Sequence, residues 1–188
     1  MKSKDLINLN IPRAIWFGND NTNMPSTGAQ SEWVQKTIDL TDLANGTAVV
    51  SEQVDLAPAD NDTPIFGSLT SPVFNYFCKF QFNAAVTTTE IIKIYAAWAL
   101  PGLNTVVTGD LGVSSAAVST VAHLGNCPLI ANVLTTKQDS TVAWGKFTAA
   151  SRYMSIAVHN TGATIHTTNT AGDSYIVIWP ENRMRFPA

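Results

Sequence analysis

The clearest periodicity along the chain is an alternation of apolar and polar positions with a period of two, which is typical of a β-strand with one buried face. It is strongest between residues 73 and 82, where one phase holds Phe74, Tyr76, Cys78, Phe80 and Phe82. Lys79 and Gln81 occupy the opposite phase. Because a slip of one residue would expose the whole apolar set, we expect a strand of fixed register whose five apolar side chains enter the core.

Shorter runs of β-branched and apolar residues recur along the rest of the chain, bounded by Gly, Pro and Asn. They cover residues 33–40, 47–54, 91–98, 129–136, 142–147, 154–160 and 174–179. Asn45-Gly46 separates the first two runs and is a strong signal for a hairpin turn. About eight or nine short strands with turn signals between them predict an all-β fold, an antiparallel β-sandwich or jelly roll.

The first 30 residues combine many Asn, Pro and Gly residues, which interrupt regular structure, with apolar residues that a solvated tail would not keep. The apolar residues are Ile7, Leu9, Ile11, Ile15, Trp16 and Phe17. We therefore predict an extended N-terminal arm over residues 1–30 that lies against the domain or a neighbouring subunit, followed by a β-sandwich domain over residues 31–188. The alternative is a first edge strand with a long loop after it.

A second segment, residues 111–136, contains no Asp, Glu, Lys or Arg. Its first part, residues 113–123, is rich in Ser, Ala and Val and is compatible with a short helix or a loop. A charge-free surface is typical of the centre of a protein interface. The predicted contact residues here are Val113, Val118 and Val121, and an ordinary loop with Ser and Thr facing water is the alternative.

The composition argues against nucleic-acid binding and membrane association. Of the 188 residues, 45% are hydrophobic and 13% are charged, about half the usual charged share, and the formal net charge is -3. Basic residues do not cluster beyond Arg183 and Arg185, so nucleic-acid binding is not expected. No apolar run approaches the roughly 20 residues of a membrane span, and no apolar signal-peptide region follows the first lysines, so we expect no membrane association.

The residues that usually carry chemistry are few and scattered. His159 and His166 flank a predicted turn, but neither they nor His123 have a third metal ligand at suitable spacing, so no metal site is predicted. The chain contains no Gly-x-Ser-x-Gly elbow, phosphate-binding loop or dinucleotide fingerprint. Cys78 is predicted to be a core residue, and no disulfide with Cys127 is expected. These observations predict that the protein is not an enzyme and has no cofactor.

Four stretches in the second half of the chain carry a family resemblance. They are residues 93–98, residues 142–147, residues 152–163 and the last strand, which ends at Trp179-Pro180. The third stretch joins an Arg-Tyr pair to an apolar strand and an Asn-Thr-Gly-Ala hairpin. Over residues 90–180 this arrangement resembles small structural proteins of tailed-bacteriophage virions, of the kind that coat or stabilise capsids.

The resemblance implies a capsid decoration or cement protein located in the virion and assembled in the host cytoplasm. Its partner would be the major capsid protein or another virion protein, and the chain would form a homo-oligomer, with a trimer favoured. The arm would then bind a groove in the shell or a sister subunit, and its removal would leave the sandwich folded. Two alternatives stay open: a tail, neck or fibre-base component, and a carbohydrate-binding β-sandwich module that uses exposed tryptophans.

Overall fold

The computed structural model describes residues 14–19, 33–56, 73–84, 90–99, 116–135, 139–161, 167–168 and 172–181. Over these ranges the secondary structure is eleven strands and one short 3₁₀ helix, Val121–Asn126, which lies between β7 and β8. The strands are β1 Ala14–Phe17, β2 Trp33–Lys36, β3 Ala48–Val50, β4 Val54–Asp55, β5 Val73–Gln81, β6 Glu90–Trp98, β7 Ala116–Ala117, β8 Leu129–Thr135, β9 Ser140–Thr148, β10 Tyr153–Asn160 and β11 Tyr175–Pro180.

The strands form two sheets. One has five strands in the order β2-β1-β11-β5-β9, and the other has six, with the path β7-β3-β10-β6-β8 and β4 paired to β10. The described pairs are antiparallel, except that β1 and β2 run parallel. The prediction of an all-β, antiparallel sandwich of the jelly-roll type is therefore confirmed, with one parallel pair at the margin of one sheet.

The core lies between the two sheets and is filled by their inward-facing side chains. Along β5 the alternation is as predicted: Phe74, Tyr76, Cys78 and Phe80 are buried, while the residues between them are half-buried on the opposite face. Phe82, just after the strand, is also buried and forms an isolated bridge with Thr167. The alternation of apolar and polar residues over this long stretch was thus sufficient to predict both the strand and its buried face.

Strand β1 corrects the prediction of an arm. It lies between β2 and β11, with Ile15 opposite Ile178 and Phe17 opposite Ile176. Ile15 and Phe17 belong to the main core, and Trp16, on the other face of the strand, is only 2% exposed. These three residues therefore pack within their own chain rather than forming an intersubunit contact, and the sandwich begins before residue 31.

The error has a physical reason. A strand of four residues is too short to show a period, and it is flanked in the sequence by the Asn, Pro and Gly residues that suggested irregular structure. The sheet supplies what the local sequence lacks, because β2 and β11 provide hydrogen-bonding partners on both sides of β1. The other predicted arm residues, Ile7, Leu9 and Ile11, lie outside the described residues, and their role stays a prediction.

The charge-free segment covers its own sheet in the described part. The 3₁₀ helix places Leu124 against Ala97 and Ala157 on the outer face of the six-stranded sheet, where Val118 and Val121 are also partly buried. Small side chains on the sheet leave room for Leu124, while most of residues 116–126 stay exposed. The prediction that Val118 and Val121 form an intersubunit contact stays a prediction, because both side chains are only partly buried within the chain, and Val113 lies outside the described residues.

Candidate contact surface on strands β8 and β9

The described part of the chain exposes four large hydrophobic side chains, and all of them lie on two strands that follow each other in the sequence. Leu129 and Leu134 on β8 are 47% and 56% exposed, and Val142 and Trp144 on β9 are 49% and 73% exposed. We call these four residues the β8–β9 patch. Single exposed apolar residues are ordinary, whereas several of them on neighbouring strands indicate a candidate contact surface.

The two strands lie side by side because the chain passes from one sheet to the other between them. β8 is the last strand of the six-stranded sheet, and β9 is the last strand of the five-stranded sheet. The hydroxyl of Thr141 donates a hydrogen bond of 3.1 Å to the carbonyl oxygen of Leu134, which joins the two edges. The patch therefore spans the edge of the sandwich, with Leu129 and Leu134 on the outer face of the six-stranded sheet and Val142 and Trp144 on the outer face of the five-stranded sheet.

The outward direction of Trp144 is set by its neighbours on β9. Phe147 faces inward, where its ring stacks on Phe74 with 5.7 Å between centroids and lies 6.4 Å from the ring of Trp98. Ala143 also packs against the core. Because side chains alternate along a strand, these inward residues force Val142 and Trp144 to the outer face.

The strand that carries the patch is held closely against β5. Gly145 lies opposite Tyr76, and a Cβ at Gly145 would come within 2.7 Å of the Tyr76 hydroxyl oxygen, so only glycine admits this ring. The thiol of Cys78 donates a hydrogen bond of 3.5 Å to the carbonyl oxygen of Ala143. Burial raises the pKa of that thiol to about 12, which keeps it protonated and able to donate. Trp144 therefore lies on a strand that packs closely against β5.

The patch is almost free of charge. Strand β8 contains no charged residue, and β9 contains only Lys146, which forms an ion pair with Glu181. Lys79 lies opposite Val142 on β5, where it is half-buried. Edge strands usually carry charges, prolines or bulges that discourage pairing with other chains. Here a register shift between Ile94 and Tyr95 disturbs the β6–β8 ladder near one end, and the rest of the two edges lacks such protection.

An aromatic row continues from the patch across the outer face of the five-stranded sheet. Phe77 lies opposite Trp144 on one side and Val177 on the other. The ring of Tyr175 is 6.1 Å from Phe77 and stacks on Trp16 with 4.1 Å between centroids. Burial raises the pKa of the Tyr175 phenol above its usual value. The row is buried at Trp16 and largely exposed at Trp144, so its accessible end coincides with the patch.

The histidines considered as metal ligands are not brought together in the described part. His159 is half-buried on β10 opposite Lys93, and burial together with that positive charge lowers its pKa. His123 lies in the 3₁₀ helix, and His166 is outside the described residues. Among the residues that the structure describes, no group of three or more His, Cys, Asp or Glu side chains is placed to hold a metal. Cys78 and Cys127 are both buried and are not joined by a disulfide.

Sequence reasoning found only part of the β8–β9 patch. It placed the contact surface at the first 30 residues and at residues 111–136, because those segments are unusual in composition; the second segment includes Leu129 and Leu134, though neither was named, and it excludes Val142 and Trp144. The available signal was the alternation within β9: Ala143 and Phe147 share one phase, and Val142 and Trp144 the other, so both phases contain apolar residues. An edge strand that is apolar in both phases exposes one of them.

Comparison with known proteins gives limited information. No protein-family model matches the chain, and no curated protein matches it. Among solved structures, the chain is similar to the crystal structure of murine APRIL at pH 8.5, with 8% identity and a TM-score of 0.35, over 72% of this chain and 98% of that chain. It is also similar to Eiger TNF from S. frugiperda, with 11% identity and a TM-score of 0.30, over 77% and 97% of the two chains. Likenesses at these TM-scores carry no information about function.

One further property of the described ranges concerns membranes. No helix there has both the length and the apolar character needed to cross a bilayer.

Proposed function

We propose that the protein is a structural virion component, a β-sandwich without catalytic activity that decorates or stabilises a bacteriophage capsid. The resemblance of residues 90–180 to virion proteins supports the virion setting. The observation that carries the adhesive role is the β8–β9 patch, an apolar surface of low charge whose most exposed residue is Trp144, at 73%. Protein contacts are enriched in aromatic residues and depleted of charge in the same way.

The energy available from Trp144 is modest for one copy of the chain. A buried tryptophan removes about 150–250 Å² from water, so covering the exposed 73% of Trp144 contributes about 3–5 kcal/mol at ~25 cal/mol per Å², before the costs of ordering. A single contact of this size is weak. Many copies on one shell act together, because each attachment raises the effective concentration of the next.

The test begins with virions purified from the culture that produces the protein. Mass spectrometry should find the chain in the particles, and gold-labelled antibodies should place it on the head. A label on the tail, neck or fibre base would move the proposal to that part of the virion. Finding the chain only in the cell lysate, with none in washed particles, would overturn the virion role.

A second candidate function has one specific observation in its favour. The ring of Trp144 is open to solvent on a sheet surface and lies opposite Phe77, so a flat sugar ring has access to it. Binding of the purified chain to a glycan array, lost in Trp144→Ala and kept in Gln35→Ala, would favour a carbohydrate-binding module. Gln35 is a suitable control because it is exposed on β2, at the far edge of the same sheet.

A further inference from the structure

We propose that the outer face of the five-stranded sheet around Trp144 binds an acidic segment of another protein in the virion. The inference rests on the proposed function, since it takes Trp144 as a protein contact, and it adds the charge of the partner. The face consists of Val142 and Trp144 on β9, Phe77 and Lys79 on β5 and Tyr175 on β11, and we call it the Trp144 face.

The strand register places a lysine inside the apolar part of this face. Lys79 lies opposite Val142 on one side and Tyr175 on the other. Phe77, two residues earlier on the same strand, lies opposite Trp144. Diagonal neighbours such as Lys79 and Trp144 are about 7–8 Å apart in a sheet of this kind. The exposed indole ring and the lysine are therefore neighbours on one surface.

The charge of Lys79 is not compensated within the described part of the chain. Its ammonium group has neither an ion pair nor a hydrogen bond there. Lys146, on the neighbouring strand β9, forms an ion pair with Glu181. Asp173, which precedes β11, accepts a hydrogen bond of 3.3 Å from the hydroxyl of Thr168. The Trp144 face thus combines an aromatic surface with one uncompensated positive charge.

A protein that covers Trp144 covers Lys79 as well. A stable contact takes about 800 Å² from each partner, a surface roughly 30 Å across, which is far wider than the separation of the two side chains. Removing a charge from water without an opposite charge is strongly unfavourable, whereas a carboxylate bonded to the ammonium offsets that loss. Charge complementarity therefore selects a partner that brings an Asp or Glu side chain to Lys79 and an apolar surface to Trp144.

Zero-length cross-linking of washed particles that contain the chain tests the charge of the partner directly. A carbodiimide activates a carboxylate, and the amine of Lys79 then displaces the urea, so that an amide joins Lys79 to an acidic side chain in contact with it. Mass spectrometry should find Lys79 joined to an Asp or Glu of another protein. The product that joins Lys146 to Glu181 is the internal control, because these two side chains form an ion pair within the chain.

The possible products separate this proposal from the proposed function. The Lys146–Glu181 product without any product of Lys79 overturns the proposal, and so does a product that joins Lys79 to a second copy of this chain. Either result leaves the chain in the virion and contradicts only the acidic partner. Absence of the chain from washed particles would contradict both proposals.

Binding of purified variants to particles produced without the chain measures the same contact. Lys79→Gln should bind at least about tenfold more weakly than the wild type, as expected for a buried charge pair that loses one member, whereas Lys79→Arg keeps the charge and should bind normally. Raising the salt concentration should weaken the wild type more than Lys79→Gln, because salt screens the charge pair.

Lys36→Gln is the matched control, because it removes the same charge from a half-buried lysine on β2, at the far edge of the same sheet. It should bind like the wild type. Circular-dichroism melts check that each variant is folded. A folded Lys79→Gln variant with the affinity and salt dependence of the wild type overturns the proposal.

Discussion

Trp16 and Trp144 lie on the same outer face of the five-stranded sheet, yet they are 2% and 73% exposed. Trp16 is on β1, which has a strand on each side, and its ring stacks on Tyr175 at 4.1 Å. Trp144 is on β9, which ends the sheet. The place of a strand in the sheet therefore decides whether a tryptophan is buried in the fold or open to solvent, and the composition around it does not.

The largest effect is expected from removing β1. Deleting residues 1–17 takes away a strand with neighbours on both sides and the core residues Ile15 and Phe17. We expect the truncated chain to lose its cooperative melting transition in circular dichroism. A truncated chain with a native melt would show that β1 is dispensable and would restore the idea of a detachable arm.

The next largest effect is a difference in the free energy of unfolding between single substitutions in the core and in the β8–β9 patch. Phe17 is fully buried, so Phe17→Ala should lower the free energy of unfolding by about 3–5 kcal/mol. Trp144→Ala should change it by no more than about 0.5 kcal/mol, because an exposed side chain loses little packing. Urea denaturation of dilute samples measures both values. Equal losses in the two variants would contradict the distinction between the two tryptophan-bearing strands.

A smaller effect on stability is expected at Gly145, where β9 packs closely against Tyr76 of β5. Gly145→Ala brings a methyl group into contact with the ring and hydroxyl of Tyr76 and should cost about 1–3 kcal/mol of stability. Tyr76→Leu removes the ring, so the double variant should be less destabilised than the sum of the two single variants. Strict additivity in urea denaturation would mean that this close approach does not hold the strand.

The smallest effect concerns pH. Burial and Lys93 lower the pKa of His159 in the folded chain, so the unfolded chain takes up the proton first as the pH falls below the ordinary value of 6.5. Stability is therefore expected to decline from pH 6.5 down through the folded pKa, with no contribution from this group above 6.5. His159→Gln should flatten that part of a plot of melting temperature against pH. An unchanged slope would assign the decline to other groups.

The sequence predicted the fold better than the contact surface, and the reason lies in the range of the interactions. The alternation from Phe74 to Phe82 is a local signal, because the apolar residues of β5 occupy one phase of the strand and so indicate which face is buried. The burial of β1 and the exposure of Trp144 depend on strands far away in the sequence, β11 for the first and the end of the sheet order for the second. The local pattern of β9 shows that both of its phases contain apolar residues, but not that β9 is the last strand of its sheet.

Residues 116–127 illustrate the same limit. The lack of charge was interpreted as a sign of an intersubunit surface, but the buried residues there, Leu124 and Cys127, pack on the chain's own six-stranded sheet near Ala97 and Ala157, and most of the others are exposed. Composition alone does not indicate which residues of such a segment are covered. For the β8–β9 patch the structure supplies the complementary information, since these residues remain exposed within the described part of the chain.

The central claim is that Trp144 meets a protein partner while Trp16 belongs to the fold, and hydroxyl-radical footprinting tests it most directly. Oxidation of each tryptophan is measured by mass spectrometry in a dilute sample of the chain and in the native assembly. We predict that Trp144 is oxidised rapidly in the dilute chain and protected in the assembly, whereas Trp16 is protected in both. Equal oxidation of Trp144 in the two samples would contradict the account.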